Sequence, residues 1–286
     1  MARLLPLVAA LLLLPVPATA TLVVLVPSVD GLVVAADSRT SVLGAQCDGQ
    51  FKIVQLKRPS RTVVMVTGDG VFIPPPSATE PDLCRYQQSA PRLLDMAAVV
   101  TSYLERKGAN PARLSLEDLG AECVRAAERF QALHPEAFQS HLGGEIFSVV
   151  LASYDPKAKV STLRNFVVRI SRESHKIEAA RFSNITVAST DRRGLWAYGE
   201  TDYVEKQVYG GFGRQFLTAS TLDFILQDKP VAQASQDEAV AAAVNLIQAA
   251  SRAAQQVPAA SAIGGPIDVV LLGRKPRPQQ LQWQKQ

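Results

Sequence analysis

The chain has 286 residues, 47% hydrophobic, 20% charged and 6% aromatic, with three cysteines. That mix is too apolar for a disordered chain and too poor in cysteine for a disulfide-built miniprotein, and the length suits one or two domains. Thirty Lys and Arg against 26 Asp and Glu leave a net charge of +4; spread over this length without a dense basic stripe, it argues against a nucleic-acid partner.

Residues 1–20 read MARLLPLVAALLLLPVPATA. Arg3 supplies a positive start, Leu4 to Leu14 an apolar stretch, and Ala18-Thr19-Ala20 a small-x-small cut site, which together predict a secretory signal peptide. The apolar stretch is shorter than the roughly 20 residues that span a bilayer, so stable membrane insertion is not expected after processing. A secreted or periplasmic location permits disulfides. Cys47, Cys84 and Cys123 allow at most one intramolecular pair, which spacing does not choose. There is no CxxC and no Cys/His cluster, so a zinc site is not expected, and no other motif calls for a cofactor. His134, His141 and His175 are scattered and read as surface or satisfied polar residues, not as members of a nucleophilic triad.

From Thr21 the chain runs TLVVLVP, a strand, then the turn Ser28-Val29-Asp30-Gly31, then GLVVAADSRT, a second strand; the two form a hairpin. Ala35 and Ala36 suit close packing. Phe51 to Leu56 is predicted as a third strand and Arg61 to Thr67 as a fourth, ending at Gly68-Asp69-Gly70. Pro74-Pro75-Pro76 and Pro81 mark a loop. Helical runs follow at about 90–107 and 115–132, the second with Ser115 as N-cap and an apolar stripe through Leu119, Cys123, Ala126 and Ala127. Strands resume at Ile146 to Tyr154, Leu163 to Ile170, Ile177 to Phe182 and Ile185 to Ala188. Thr201 to about Gln227 reads as helix interrupted near Gly210-Gly211. A long Ala-rich helix spans about Gln236 to Gln256, with Ser235 and Glu238 as a capping box. After Gly264-Gly265-Pro266 comes a last strand, Ile267 to Leu272, and a basic, Gln-rich tail, 274–286, expected to fray. Sheet, helices, sheet, helices and a final strand in one unit, 21–273, predict an α+β, four-layer α-β-β-α sandwich.

Cutting after Ala20 exposes Thr21 as the first residue. A threonine hydroxyl is a weak nucleophile, but at a free N-terminus its own α-amine, with a reference pKa of about 7.7, is a general base at hand, and no histidine is required. Two charged residues sit on faces that otherwise read as core. Asp37 alternates with Val33 and Ala35, and Lys52 with Val54 and Leu56. Buried charges need partners, so Asp37 and Lys52 are expected to face each other; a one-residue change of register makes Lys57 the substitute. An ammonium beside Thr21 favours its alkoxide. Gly68 in VTGDG permits close backbone approach, and its N–H is a candidate oxyanion donor, although on sequence alone a plain turn glycine is the favoured reading.

The run TLVVLVPSVDGLVVAADSRT resembles the start of a mature proteasome β-type subunit, among the N-terminal nucleophile hydrolases with a catalytic threonine. Thr21 falls on that threonine without a gap up to Gly31, the glycine opening the second strand. Asp37 falls on the family's aspartate, Lys52 in QFKIV on its lysine after a one-residue deletion, and Gly68 on the glycine whose amide builds the oxyanion hole. Gly199 in AYGETDYV and Gly264-Gly265 match later glycines. Glu200 or Thr201 stands where the family has a serine, and Ala260 and Ile263 where it has an aspartate and a serine.

The resemblance implies an α-β-β-α Ntn-hydrolase fold, acyl transfer through a threonine ester, a peptide or other amide as substrate, and self-assembly of several copies as a homo-oligomer. Two other readings compete: an acylase or amidase acting on a non-peptide amide, and a catalytically silent binding or structural protein. The Pro-rich segment near 71–87 is an added feature expected to shape a substrate cleft.

Overall fold

The runs Leu22–Ser28, Gly31–Asp37 and Ile267–Gly273 are apolar nearly throughout, and every residue of the first two is buried. A strand whose alternate side chains are all apolar must be covered on both faces. The computed structural model, which describes residues 16–17, 21–57, 61–77, 79–107, 114–227, 229–256, 263–273 and 279–283, meets that demand with two stacked sheets and a helical layer outside each.

The main strands in chain order are β1 (Leu22–Ser28), β2 (Gly31–Asp37), β3 (Ile53–Gln55), β4 (Thr62–Gly68), β5 (Glu145–Asp155), β6 (Val160–Ile170), β7 (Ile177–Ala188), β8 (Trp196–Gly199), β9 (Ile267–Gly273) and β10 (Gln279–Trp283). One five-stranded sheet has the order β8-β1-β2-β9-β10, the other β7-β6-β5-β4-β3, and all the pairings are antiparallel. Between the sheets Val23, Leu25, Val34 and Val270 meet Ile53, Met65, Val150 and Leu163. The helices in chain order are α1 (Leu83–Ser89), α2 (Met96–Lys107), α3 (Leu116–Leu133), α4 (Ala219–Leu226) and α5 (Gln236–Gln256). The opposite faces of β1 and β2, through Leu22, Val24, Val33 and Ala35, pack on α5 and its neighbours. The outer face of the second sheet packs on α2 and α3 through a core that includes Phe72, Phe130, Phe138, Phe147 and Phe166. The four-layer α-β-β-α sandwich follows. Among the described residues no helix is long and apolar enough to cross a membrane.

Local signals explain most boundaries. Ser115 Oγ accepts from Asp118 N at the start of α3. Ser235 Oγ accepts from Glu238 N while the Glu238 carboxylate accepts from Ser235 N, the reciprocal box that opens α5. Several details differ from the sequence expectation, among them the helix Leu83–Ser89 inside the segment read as loop, the start of α2 at Met96 and not near 90, and an unexpected strand at Trp196–Gly199. A hairpin of two short strands, Thr40–Val42 and Ala45–Cys47, precedes β3. The two strands expected at Ile177–Phe182 and Ile185–Ala188 are one, β7, because a register shift opposite Asn165 to Val167 absorbs the irregularity without ending the ladder. The helical stretch from Thr201 breaks at Gly210–Gly211 as expected, but its helix types vary: a turn at Thr201–Tyr203 passes into a π-helix, Val204–Tyr209, and after the break a 3₁₀ segment, Phe212–Phe216, precedes α4. The tail does not simply fray, since Gln279–Trp283 pairs with Ile267–Leu271; the open edge of β9 offers backbone partners that a polar segment can take. Val16–Pro17, inside the expected signal peptide, pairs with Phe72 and Ile73.

Leu25 lies wholly buried between the sheets. Leu25→Ala is expected to cost about 2–5 kcal/mol through lost transfer and cavity terms. A fall in urea midpoint at unchanged m-value is the measurement.

Candidate active site

Thr21 stands immediately before β1 and is 6% exposed. Its carbonyl accepts from Glu200 N at 3.3 Å. This clamp depends on Gly199, the last residue of β8, which pairs with Leu22. Gly199 has φ +92°, and a Cβ there would lie 1.9 Å from the Thr21 carbonyl oxygen. Only glycine leaves Thr21 where it is.

Asp37 ends β2 and has no exposed surface. Its Oδ1 accepts from Leu22 N at 2.8 Å and from Lys52 Nζ at 3.1 Å, and its Oδ2 accepts from Gly264 N at 3.1 Å. Lys52, just before β3, is 8% exposed and also donates to the Arg39 carbonyl. Lys57 is exposed, so the expected partnership falls on Lys52 and not on its substitute. Burial pushes Asp37 above the usual carboxylate range, opposed by the Lys52 charge and the N–H groups of Leu22 and Gly264. Burial likewise lowers Lys52, opposed by Asp37. A lysine so placed gives up its proton more readily than one on the surface.

Gly68 ends β4 opposite Phe147. Its φ is +79°, and a Cβ would come within 2.7 Å of the Ile146 carbonyl oxygen. Thr21 and Gly68 together line two clefts. One, of about 330 Å³, also has Phe51, Lys52, Val66 and Gln88 in its walls. The other, of about 460 Å³, runs past His141, Glu145 and Glu200. The four sequence-selected residues, Thr21, Asp37, Lys52 and Gly68, thus come together where the two sheets end.

The wall of the first cleft is braced from the helix that follows the Pro-rich segment. Cys47 and Cys84 form a disulfide with a Cα–Cα distance of 5.1 Å, joining the short hairpin to α1. From the same helix buried Gln87 donates to Thr40 Oγ1 at 2.8 Å and to Gln50 Oε1 at 2.9 Å, and both acceptor residues line that cleft. Cys123 is left free and buried, and burial pushes its thiol up to about 12.

Two further polar residues line the second cleft. His141, expected to be a surface or satisfied polar residue, is satisfied by a carboxylate: its Nε2 meets Asp69 Oδ2 at 3.0 Å. No spacing in the sequence announces that meeting. Glu200 has a signal, its place directly after Gly199, and its carboxyl is raised by burial first and by Asp37 and Asp202 next. Ala260 and Ser261 lie outside the described residues. Ile263 is buried in the core on the helical side of the first sheet.

No protein-family model and no curated protein matches the chain. Among solved structures it is similar to a Gly-1 mutant of Anbu from Hyphomicrobium sp. strain MC1, at 14% identity over 93% of this chain and 89% of that one, with a TM-score of 0.47. It is similar to Anbu (ancestral beta-subunit) from Yersinia bercovieri at 13% identity, 92% and 86% coverage and a TM-score of 0.47. The helical assembly of the Anbu complex from Pseudomonas aeruginosa gives 15%, 92%, 87% and 0.49. The likeness is distant, and at these values no residue role passes from those proteins to this chain.

Gly199→Ala must move the Thr21 carbonyl or strain the backbone. It is expected to destabilise the protein by about 1–3 kcal/mol, read as a drop in urea midpoint. Iodoacetamide at pH 8 is expected to leave the folded protein unmodified, because two thiols are joined and Cys123 is protonated and buried. Prior reduction should add label at Cys47 and Cys84, and peptide mapping distinguishes the sites.

Proposed function

We propose that the protein is an N-terminal threonine hydrolase that cuts peptide or other amide bonds through an ester on Thr21. Removal of residues 1–20 during export to the periplasm or the outside supplies the free α-amine. The observation that carries this reading is the position of Thr21: nearly buried, clamped by Glu200 N and Gly199, beside the Asp37–Lys52 pair, and on the shared wall of two clefts with Gly68.

The chemistry then runs as acyl transfer. Thr21 Oγ attacks the carbonyl carbon and its proton passes to the α-amine. The Lys52 ammonium steadies the forming alkoxide, and Asp37 holds that ammonium in place. The Gly68 N–H donates to the tetrahedral oxyanion. The C–N bond breaks as the α-ammonium returns a proton to the departing nitrogen. Water, deprotonated by the same amine, then attacks the ester, releasing a carboxylic acid and restoring Thr21 Oγ–H. Apart from the substrate and this water, the proton movements use only groups of the chain.

The test is labelling of the processed protein with a β-lactone, which acylates a nucleophilic hydroxyl, followed by peptide mapping. One adduct is expected on an N-terminal peptide beginning at Thr21. It should vanish in Thr21→Ala and persist in Thr21→Ser. Lys52→Met should slow labelling by about 10²-fold. A mature chain starting elsewhere, or folded and processed protein that takes no label at Thr21, would overturn the proposal.

A further inference from the structure

The two sides of Thr21 differ in charge. The first cleft is walled by Phe51, Val54, Val66 and Val71, with Lys52, Arg92 and Asp95 as its ionisable groups. The second holds the carboxyls of Asp69, Glu145, Glu200 and Asp202, against Arg181 and His141. Some of this charge is engaged within the protein. Asp69 meets His141, Glu145 Oε1 accepts from Ser148 Oγ at 2.5 Å, and Asp202 lies 3.8 Å from Lys206 at the exposed mouth.

Glu200 is different. It stands at the N-terminus of the Thr201–Tyr203 turn, yet its carboxylate caps none of the turn's N–H groups. Instead it is held in the wall of the cleft next to Thr21. A second, separate feature is Thr67. It lines the same cleft, is 1% exposed, and its Oγ1 has no hydrogen-bond partner among the described residues. A buried hydroxyl left without a partner is costly unless something else supplies one. A hydroxyl donates as well as accepts, so Thr67 marks a place for a polar ligand, and the carboxyls around the same cavity favour one that carries N–H donors and positive charge. Among the described residues no three His, Cys, Asp or Glu side chains are grouped as metal ligands would be, which turns the choice to an organic cation.

We propose that the second cleft is a subsite for a cationic group, a lysine or arginine side chain, on the leaving-group side of the scissile bond. This rests on the threonine-hydrolase reading. A bond attacked by Thr21 Oγ has one substituent on each side of that atom, and Thr21 lines both clefts. The acyl part stays esterified to Thr21. The other part departs as an amine and takes up a proton, so it is the fragment that gains positive charge. An acidic cavity favours that fragment over the neutral acyl part. Arg181 offsets part of that negative field.

The test uses the full chain with Thr21→Ala, so that binding is read without turnover. The probes are three fluorescein-labelled decapeptides that differ only in a central Lys, Ala or Glu. Fluorescence anisotropy at low salt should show the Lys peptide binding at least tenfold tighter than the Glu peptide. Glu200→Gln with Asp202→Asn should cut that ratio to about threefold or less. Arg181→Gln should widen it, a gain that misfolding cannot imitate. Equal binding of the Lys and Glu peptides, or a preference untouched by these three substitutions, overturns the subsite. Product sequencing with the wild-type protein settles the side: Lys immediately after the cut is expected, and Lys before the cut overturns the assignment. A Thr21 that takes the β-lactone label in protein with no cation preference sinks this inference alone. A Thr21 that takes no label sinks the hydrolase reading, whatever the peptides do.

Discussion

The carboxylate of Asp37 is the knot on which the site is tied. Its two oxygens hold the first amide of β1, the amide of Gly264 before β9, and the ammonium of Lys52 before β3. Three segments far apart in sequence are therefore fixed around one buried charge. An isolated carboxylate at that depth would be neutralised or expelled. Its donors keep it there, and because they come from both sheets, the sheets cannot slide without breaking it. The location of Thr21, one residue before the amide that Asp37 holds, is a by-product of that constraint.

Around the knot, backbone closeness does the rest. Gly199 lets β8 press against the Thr21 carbonyl, and Gly68 lets the end of β4 turn beneath Ile146. Both glycines sit at strand ends where a Cβ would collide with a carbonyl oxygen. The Cys47–Cys84 link and the Gln87 hydrogen bonds then hold one wall of the first cleft to its floor. Strand ends thus carry the residues of the proposed site, while the Pro-rich segment and its helix stand beside the first cleft.

The layered fold could be read from the chain because continuous apolar runs demand cover on both faces, and because Ser115 and Ser235 announce their helices. Asp37 and Lys52 stood out for the complementary reason: each interrupts an apolar alternation with a charge. His141 and Asp69 offered no such contrast. Their meeting depends on how a loop after α3 folds over the end of β4, and no local period encodes it. The cysteine pairing was hidden likewise, since two thiols 37 residues apart meet only once the Thr40–Cys47 hairpin lies against α1. Periodicity also mistook a register shift in β7 for a break, and it treated the polar tail as free because side chains, and not backbone edges, set its pattern.

The helix α5 has a consequence of its own. Seven of its twelve buried residues are alanine: Ala239, Ala242, Ala243, Ala249, Ala250, Ala253 and Ala254. Small side chains let the helix lie close to the sheet that carries Asp37, with Leu246 and Ile247 filling the wider places. A larger residue at one of these alanines has to push the helix away from the strands behind Thr21, so this layer takes enlargement poorly.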